Sequence, residues 1–182
     1  IKDKYNLTEK LIFYPAQYWF HKNHFKLVEA FKIVSKTFDD VHLILTGSKT
    51  NNYNNLMQRI DELSLQDRVK HLGYIDYEDL PYLYKMSQFL VMPTLFESVS
   101  IPIYEAFALE VAVCSSNVVA LPEQVGDAGL IFNPNDIYDI AENMIKYLND
   151  DSLRKEKAKL GFERVKNFNH ENYRIKLLEV FK

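Results

Sequence analysis

Short apolar runs, too brief for helices, recur along this chain, and nearly every one is followed by a segment whose apolar residues return at helical spacing. Leu11-Ile12-Phe13-Tyr14, closed by Pro15, reads as a strand; Leu27, Phe31 and Val34 then share one helical face. Residues 41–45 form a second strand ending at Thr46-Gly47, and residues 54–65 a helix with Leu56, Ile60 and Leu63 inward. A third strand covers residues 69–72 and stops at Gly73. Asp76 is expected to cap the next helix, with Asp79 in its first turn. Phe89-Leu90-Val91-Met92 is apolar throughout, the pattern of a strand covered on both faces. A helix over 102–109, strands at 111–114 and 130–132, a helix capped by Asp136 and reaching about Leu148, and two further helices complete the series. Six strands alternating with helices through short links imply an α/β fold. The expected architecture is one doubly wound, mostly parallel six-stranded sheet with helices on both faces, spanning residues 1–182.

Composition narrows the function. With 47% hydrophobic residues in 182, the chain can build a real core, so disorder is excluded. A net charge of −3 without a dense basic cluster argues against nucleic acid as a partner. The lone Cys114 cannot form an internal disulfide, which suggests an intracellular chain, and its apolar strand makes it a small core residue. The longest apolar runs are too short to span a bilayer, and no signal-peptide core follows Ile1. The absence of an initiator Met suggests a segment of a longer polypeptide. Five scattered glycines supply neither a Gly-x-Gly-x-x-Gly turn nor a Walker loop, which argues against redox-cofactor and P-loop chemistry. The mixed-sign run from Arg154 to Lys159 reads as a solvated helix face, not a membrane anchor.

In doubly wound sheets ligands bind outside the carboxyl ends of the strands. The segment from Phe96 to Ala106 leaves the buried strand at 89–92, turns through Pro93-Thr94, and enters a helix with proline in its first turn. Backbone N–H groups from Ser98 to Ile101 are expected to be free there, a natural site for a diphosphate. Glu97 and Glu105 could accept hydrogen bonds from hydroxyls, so the pattern suits a sugar nucleotide. On spacing alone, the plainer reading is a capping Ser98 or Ser100 and two surface glutamates.

Three collinear segments carry a resemblance that decides between these. Glu97 and Glu105, the run Ala120-Leu121-Pro122-Glu123-Gln124-Val125-Gly126-Asp127-Ala128-Gly129 continuing to Asp136, and the run from Tyr14 to His24 resemble the retaining glycosyltransferases of family 4. These enzymes share the two-domain GT-B fold, and the resemblance covers only its C-terminal, donor-binding half, with the N-terminal acceptor domain absent. It implies that Lys22 and Glu97 carry the catalytic roles: Lys22 on the donor diphosphate, Glu97 on hydroxyls of the transferred sugar. It implies that Glu105 holds the ribose, that the amides of Ser100 and Ile101 meet the diphosphate within the loop of Ser98 and Val99, and that the segment around Tyr74 holds the base. The implied reaction moves a sugar from a nucleotide diphosphate to an acceptor hydroxyl, in polysaccharide or glycolipid synthesis, with no metal and no other cofactor. The implied partners are a nucleotide sugar and the missing domain, which leaves room for a peripheral membrane contact. The implied location is the cytoplasm, at the inner face of the membrane.

The chain departs from the family pattern in several places. Gln17 stands where the family commonly has Arg, five residues before the lysine; Ser98 and Ser100 replace glycines, and Glu110 replaces a Gly after the helix. Ala112 replaces the usual Pro, and either Glu110 takes an unfavourable left-handed turn or the turn there is of a different kind. A nucleotide-sugar isomerase or hydrolase on the same scaffold, and a non-catalytic binding domain, remain alternatives. Nucleotide binding with little or no transfer is expected of this segment alone.

Other residues read more plainly. His21 and His24 could pair on a metal but lack a third ligand, so a helix-start pair is the simpler reading; His42 and His71 are expected to be packed or edge histidines. Tyr14, Tyr18, Trp19 and Phe20 could face a sugar or pack. Tyr173, Leu177, Leu178 and Phe181 make an apolar stripe on the last helix. It would pack as core, or stand uncovered if that helix belongs against the missing domain.

Overall fold

The computed structural model describes residues 1–7 and 10–180. Among these described residues six strands, β1 (Lys10–Pro15), β2 (Val41–Thr46), β3 (Val69–His71), β4 (Ser87–Met92), β5 (Ala112–Ser116) and β6 (Gly129–Phe132), form one sheet in the order β3-β2-β1-β4-β5-β6. Every neighbouring pair is parallel. The chain therefore starts mid-sheet, winds outward to β3, returns beside β1 and winds the other way to β6. Right-handed crossovers put the helices of the two halves on opposite faces.

Among the described residues, nine α-helices connect or flank these strands: α1 (Lys2–Tyr5), α2 (His24–Val34), α3 (Tyr53–Glu62), α4 (Leu80–Met86), α5 (Ile101–Ala108), α6 (Leu121–Val125), α7 (Ile137–Asn149), α8 (Asp151–Val165) and α9 (His170–Val180). α2 packs against α7, and α5 against α8. β4 is apolar because it is buried on both faces: Phe89, Leu90, Val91 and Met92 are at most 1% exposed. Side chains of this kind stabilise by about 1.5–3 kcal/mol each on burial. Asp136 caps α7 as its position requires, accepting from the N–H groups of Tyr138 and Asp139. Tyr147 on the same helix is fully buried, and its hydroxyl donates to the Val113 carbonyl at 2.9 Å, so the sheet satisfies the phenol.

Some expectations need correction. Asp79, not Asp76, holds the N-cap position of α4, and its side chain makes no cap bond. Its carboxylate is taken by Lys4 and Tyr5 of α1, a long-range partnership that outweighs the local one. Leu63 is only half-buried; Leu65, just past α3, fills that part of the core. α1, α6 and the 3₁₀ turns at Phe20–Lys22 and Gly126–Ala128 were not foreseen, because a single turn is too short to show a period. On α9, Tyr173, Leu177 and Leu178 are exposed, so the stripe is uncovered rather than core; Phe181 lies outside the described residues.

The end of α5 shows how a substituted glycine is accommodated. Val111 N–H donates to the Ala106 carbonyl and Glu110 N–H to that of Phe107, the paired bonds of a Schellman turn. The turn needs a left-handed residue, and Glu110 supplies it at φ 55°. On α8, Gly161 lies so close to Phe107 that a Cβ would sit 2.2 Å from the ring, and Phe107 is fully buried with nowhere to go.

Two outcomes follow for chemical denaturation. Glu110→Gly is expected to stabilise the fold by about 1 kcal/mol by relieving the left-handed strain. Gly161→Ala is expected to destabilise it by about 1–3 kcal/mol, overpacking outweighing the gain in helix propensity. A higher denaturation midpoint for Gly161→Ala would contradict the α5–α8 packing.

Candidate functional site

The winding reverses between β1 and β4, so the loops that leave these adjacent strands diverge and open a crevice at the carboxyl edge of the sheet. The β1 loop is built from buried polar anchors. Tyr14 Oη donates to the Lys22 carbonyl at 2.7 Å. Asn23, in the left-handed conformation at φ 60°, donates through Nδ2 to the carbonyls of Pro93 and Pro134, each at 2.9 Å. The Thr94 hydroxyl lies 3.0 Å from the carbonyl oxygens of both His21 and Phe96, and Leu95 N–H donates to the His21 carbonyl. Loops after β1, β4 and β6 are thereby tied into one rim.

That rim brings Lys22 and Glu97 together. Their side chains form an ion pair, each 20% exposed. They line a hollow of about 510 Å³ with Gln17, Trp19, His21, Val99, Ser100 and Ile101. Gln17 Oε1 accepts from Trp19 Nε1 at 2.9 Å, so its side chain retains both NH₂ donors and one acceptor lone pair for a ligand.

The start of α5 differs from expectation. Ser100 is its N-cap residue but makes no side-chain cap bond. Its N–H is not free: Gln124 Oε1 accepts it at 2.9 Å, and Gln124 Nε2 donates to the Ser100 carbonyl at 2.7 Å. A primary amide carries a donor and an acceptor side by side and can match both groups of one residue. The diphosphate contact expected of the Ser100 amide is thus occupied in this conformation, while Ile101 opens the helix beside the hollow.

The remaining candidates separate. Glu105 does not line the hollow; it is half-buried one turn into α5 and accepts from Tyr84 Oη at 2.7 Å. Burial, with the neighbouring Glu105 charge, pushes the Tyr84 phenol far up, so it stays a proton donor. Tyr74 is 80% exposed and lines a second hollow of about 210 Å³ with Thr46, Gly47, Ser48 and Ile75. Pro15, Ala16 and Gln17 border both hollows, making them two ends of one groove. Gly47 allows this approach: at φ 120° a Cβ would sit 2.7 Å from the Ala16 carbonyl oxygen. Ser98 borders neither end; it faces a hollow of about 580 Å³ lined by Tyr104, Gln124 and Arg164.

Beneath the β1 loop the aromatic group divides: Tyr14 and Tyr18 are buried, whereas Trp19 and Phe20 are exposed. His24 is not paired with exposed His21 but packs between the rings of Tyr14 and Tyr18. Burial lowers its pKa to about 3, against a bond to the Ala16 backbone that opposes the shift. His42 is buried in β2, an interior strand, and His71 is half-buried in β3 at the sheet edge. Burial likewise pushes the Cys114 thiol far up, consistent with a core residue. No group of three metal-ligating side chains occurs among the described residues, and no helix among them is long and apolar enough to cross a membrane.

The family model described as "Glycosyl transferases group 1" matches residues 1–164. The chain belongs to the group 1 glycosyltransferases. It is 35% identical over 162 residues to the O-antigen chain mannosyltransferase B of Escherichia coli, an alignment covering 88% of this chain and 42% of that protein. The glycosyltransferase chain thus spans less than half the length of this curated relative. Sucrose-phosphate synthase from Thermosynechococcus elongatus superposes with a TM-score of 0.87 at 26% identity, over 99% of this chain and 47% of that one. Anabaena HepE, solved with UDP and glucose, gives 0.87 at 19% identity over 99% and 50%, which shows the shared fold. Asn23, Thr94, Tyr84 and Gln124, which shape this candidate site, were not named as site residues from the sequence. Each acts through partners 21 to 111 residues away, and only the left-handed preference of Asn23 left a local trace.

The buried imidazole makes stability depend on pH. The folded pKa of His24 lies below its ordinary value of 6.5, so the unfolded chain binds more protons between 6.5 and about 3. Stability contributed by neutral His24 is complete above 6.5 and is lost as pH falls through that window, by a few kcal/mol at about 1.36 kcal/mol per unit. Chemical denaturation from pH 7 to 4 should show this loss in the parent and a shallower slope in His24→Asn; equal slopes would exclude the assignment.

Proposed function

We propose that this chain is the donor-binding domain of a retaining glycosyltransferase that moves a hexose, mannose in the first instance, from a nucleoside diphosphate to an acceptor hydroxyl in surface-polysaccharide synthesis. The observation that carries the reading is the convergence of Lys22 and Glu97 beside the start of α5, at the crevice where the winding reverses. The mannosyl and O-antigen parts rest on the printed name of the Escherichia coli relative. An N-terminal acceptor domain would lie in the part of the protein outside this chain.

In this reading the diphosphate sits against Lys22 and the first turn of α5, where an ammonium and the helix dipole oppose the charge that grows on the leaving group. The C1–O bond to the diphosphate breaks while the acceptor oxygen bonds C1 from the same face, and the acceptor proton passes to the departing phosphate oxygen. Glu97 accepts from hydroxyls of the transferred sugar. Glu105, with Tyr84 donating to it, offers its remaining acceptor capacity to the ribose. The base lies at the Tyr74 end of the groove. Charge stabilisation by Lys22 and the helix makes a metal unnecessary. The expected location is the cytoplasm, at the membrane's inner face, where lipid-linked acceptors are accessible.

Calorimetric titration with UDP, GDP and their mannose and glucose conjugates tests this. One nucleotide is expected to bind, and Lys22→Ala and Glu105→Ala to weaken it about tenfold or more, as loss of a charged hydrogen bond predicts. Tyr84→Phe should weaken it a few-fold while the fold is retained. Absence of nucleotide binding by this chain and by the full-length protein would exclude the reading.

A further inference from the structure

The ion pair at the centre of the hollow joins two groups that would meet different parts of a donor. Lys22 is the one lysine or arginine, and Glu97 the one carboxylate, lining this hollow among the described residues. The pair is largely shielded, each side chain 20% exposed, so its attraction is screened less than that of a surface pair. Gln17 is uncharged and already bonded to Trp19, and the buried hydroxyl of Tyr14 is committed to the Lys22 carbonyl.

Resting on the donor-site reading above, we propose that the Lys22–Glu97 pair is an exchangeable latch that makes the site discriminate between an intact nucleotide sugar and the sugar-free nucleoside diphosphate. A diphosphate entering the hollow draws Lys22 away from Glu97. An intact donor brings sugar hydroxyls that replace the ammonium as hydrogen-bond donors to Glu97. A nucleoside diphosphate brings none, and it leaves an uncompensated carboxylate on the same wall as its own negative charge. Once the sugar has been transferred, the product is in that position: Glu97 reclaims Lys22, and the nucleoside diphosphate is released. Glu97 is thus a specificity-determining residue against the product as well as a contact for the sugar.

The latch makes an unusual demand, that removing a binding-site carboxylate should strengthen binding of one ligand. Titration of the chain with UDP and GDP, and with their mannose and glucose conjugates, is compared between the parent and Glu97→Gln. Glu97→Gln is expected to bind the matching nucleoside diphosphate about three- to tenfold more tightly, the scale of one partly shielded charge pair. It should also lose the parent's preference for the sugar conjugate. The gain should shrink when Lys22→Gln is added, since only the direct repulsion between Glu97 and the diphosphate then remains to be relieved. Glu97→Ala, which also removes the charge, is the second variant should Glu97→Gln unfold, with thermal melting as the check. Nucleoside diphosphate binding that is unchanged or weaker in the folded variant, while the parent binds and Lys22→Ala weakens it, overturns the latch alone. Binding of no nucleotide by any of these forms, in this chain and in the full-length protein alike, overturns the latch together with the donor-site reading.

Discussion

The site depends on a constraint of winding: two parallel neighbours in the middle of the sheet, β1 and β4, must send their connections to opposite faces. Their following loops therefore part at the carboxyl edge, and the crevice exists before any side chain is chosen for it. The buried loop anchors then give that crevice a shape. Asn23 is decisive among them, because it lends its left-handed backbone to the turn after Lys22 and its amide to the loops after β4 and β6. A displacement in any of the three loops would move the cation and the carboxylate relative to each other.

Charge in the hollow is sparse, which gives each group more weight. Gln17 brings a donor without a charge, and Gln124 occupies the Ser100 amide, so positive potential comes from Lys22 and from the rest of the α5 terminus. A single cation beside a single carboxylate has two natural partners, each other and the two ends of a nucleotide sugar. Glu105 and Tyr84 stand apart from this exchange, one turn along α5. Their bond is set by burial of the phenol, so the fold itself holds the Glu105 carboxylate in place.

Elements with long periods were legible in the sequence, and single turns were not. Phe89 to Met92 declared a central strand because four consecutive apolar side chains can be buried only where both faces are covered. Asp136 declared the start of α7 because its cap bonds are local. Asp76 misled as a cap: α4 starts three residues later at Asp79, whose carboxylate found Lys4 and Tyr5 across the fold instead of the helix N–H groups. The same holds at the site. Lys22, Glu97 and Glu105 were named through the family resemblance, whereas the roles of Tyr84, Thr94 and Gln124, which hold them or their backbone, depend on partners that local spacing does not reveal.

What the sequence determined by itself is therefore what short-range physics controls. The alternation of strand and helix, the order of the elements, the left-handed turn at Glu110 and the residue types available at the carboxyl edge all follow from local sterics and periodicity. Tertiary structure alone decided which of those residues meet. It paired Lys22 with Glu97, closed Gln124 over Ser100, turned Ser98 away from the groove and set the Tyr74 hollow beside that of Lys22 and Glu97 along residues 15–17. The reason is physical: a buried polar group must be satisfied by whichever partner the packing brings within reach, and that partner need not be near in the chain.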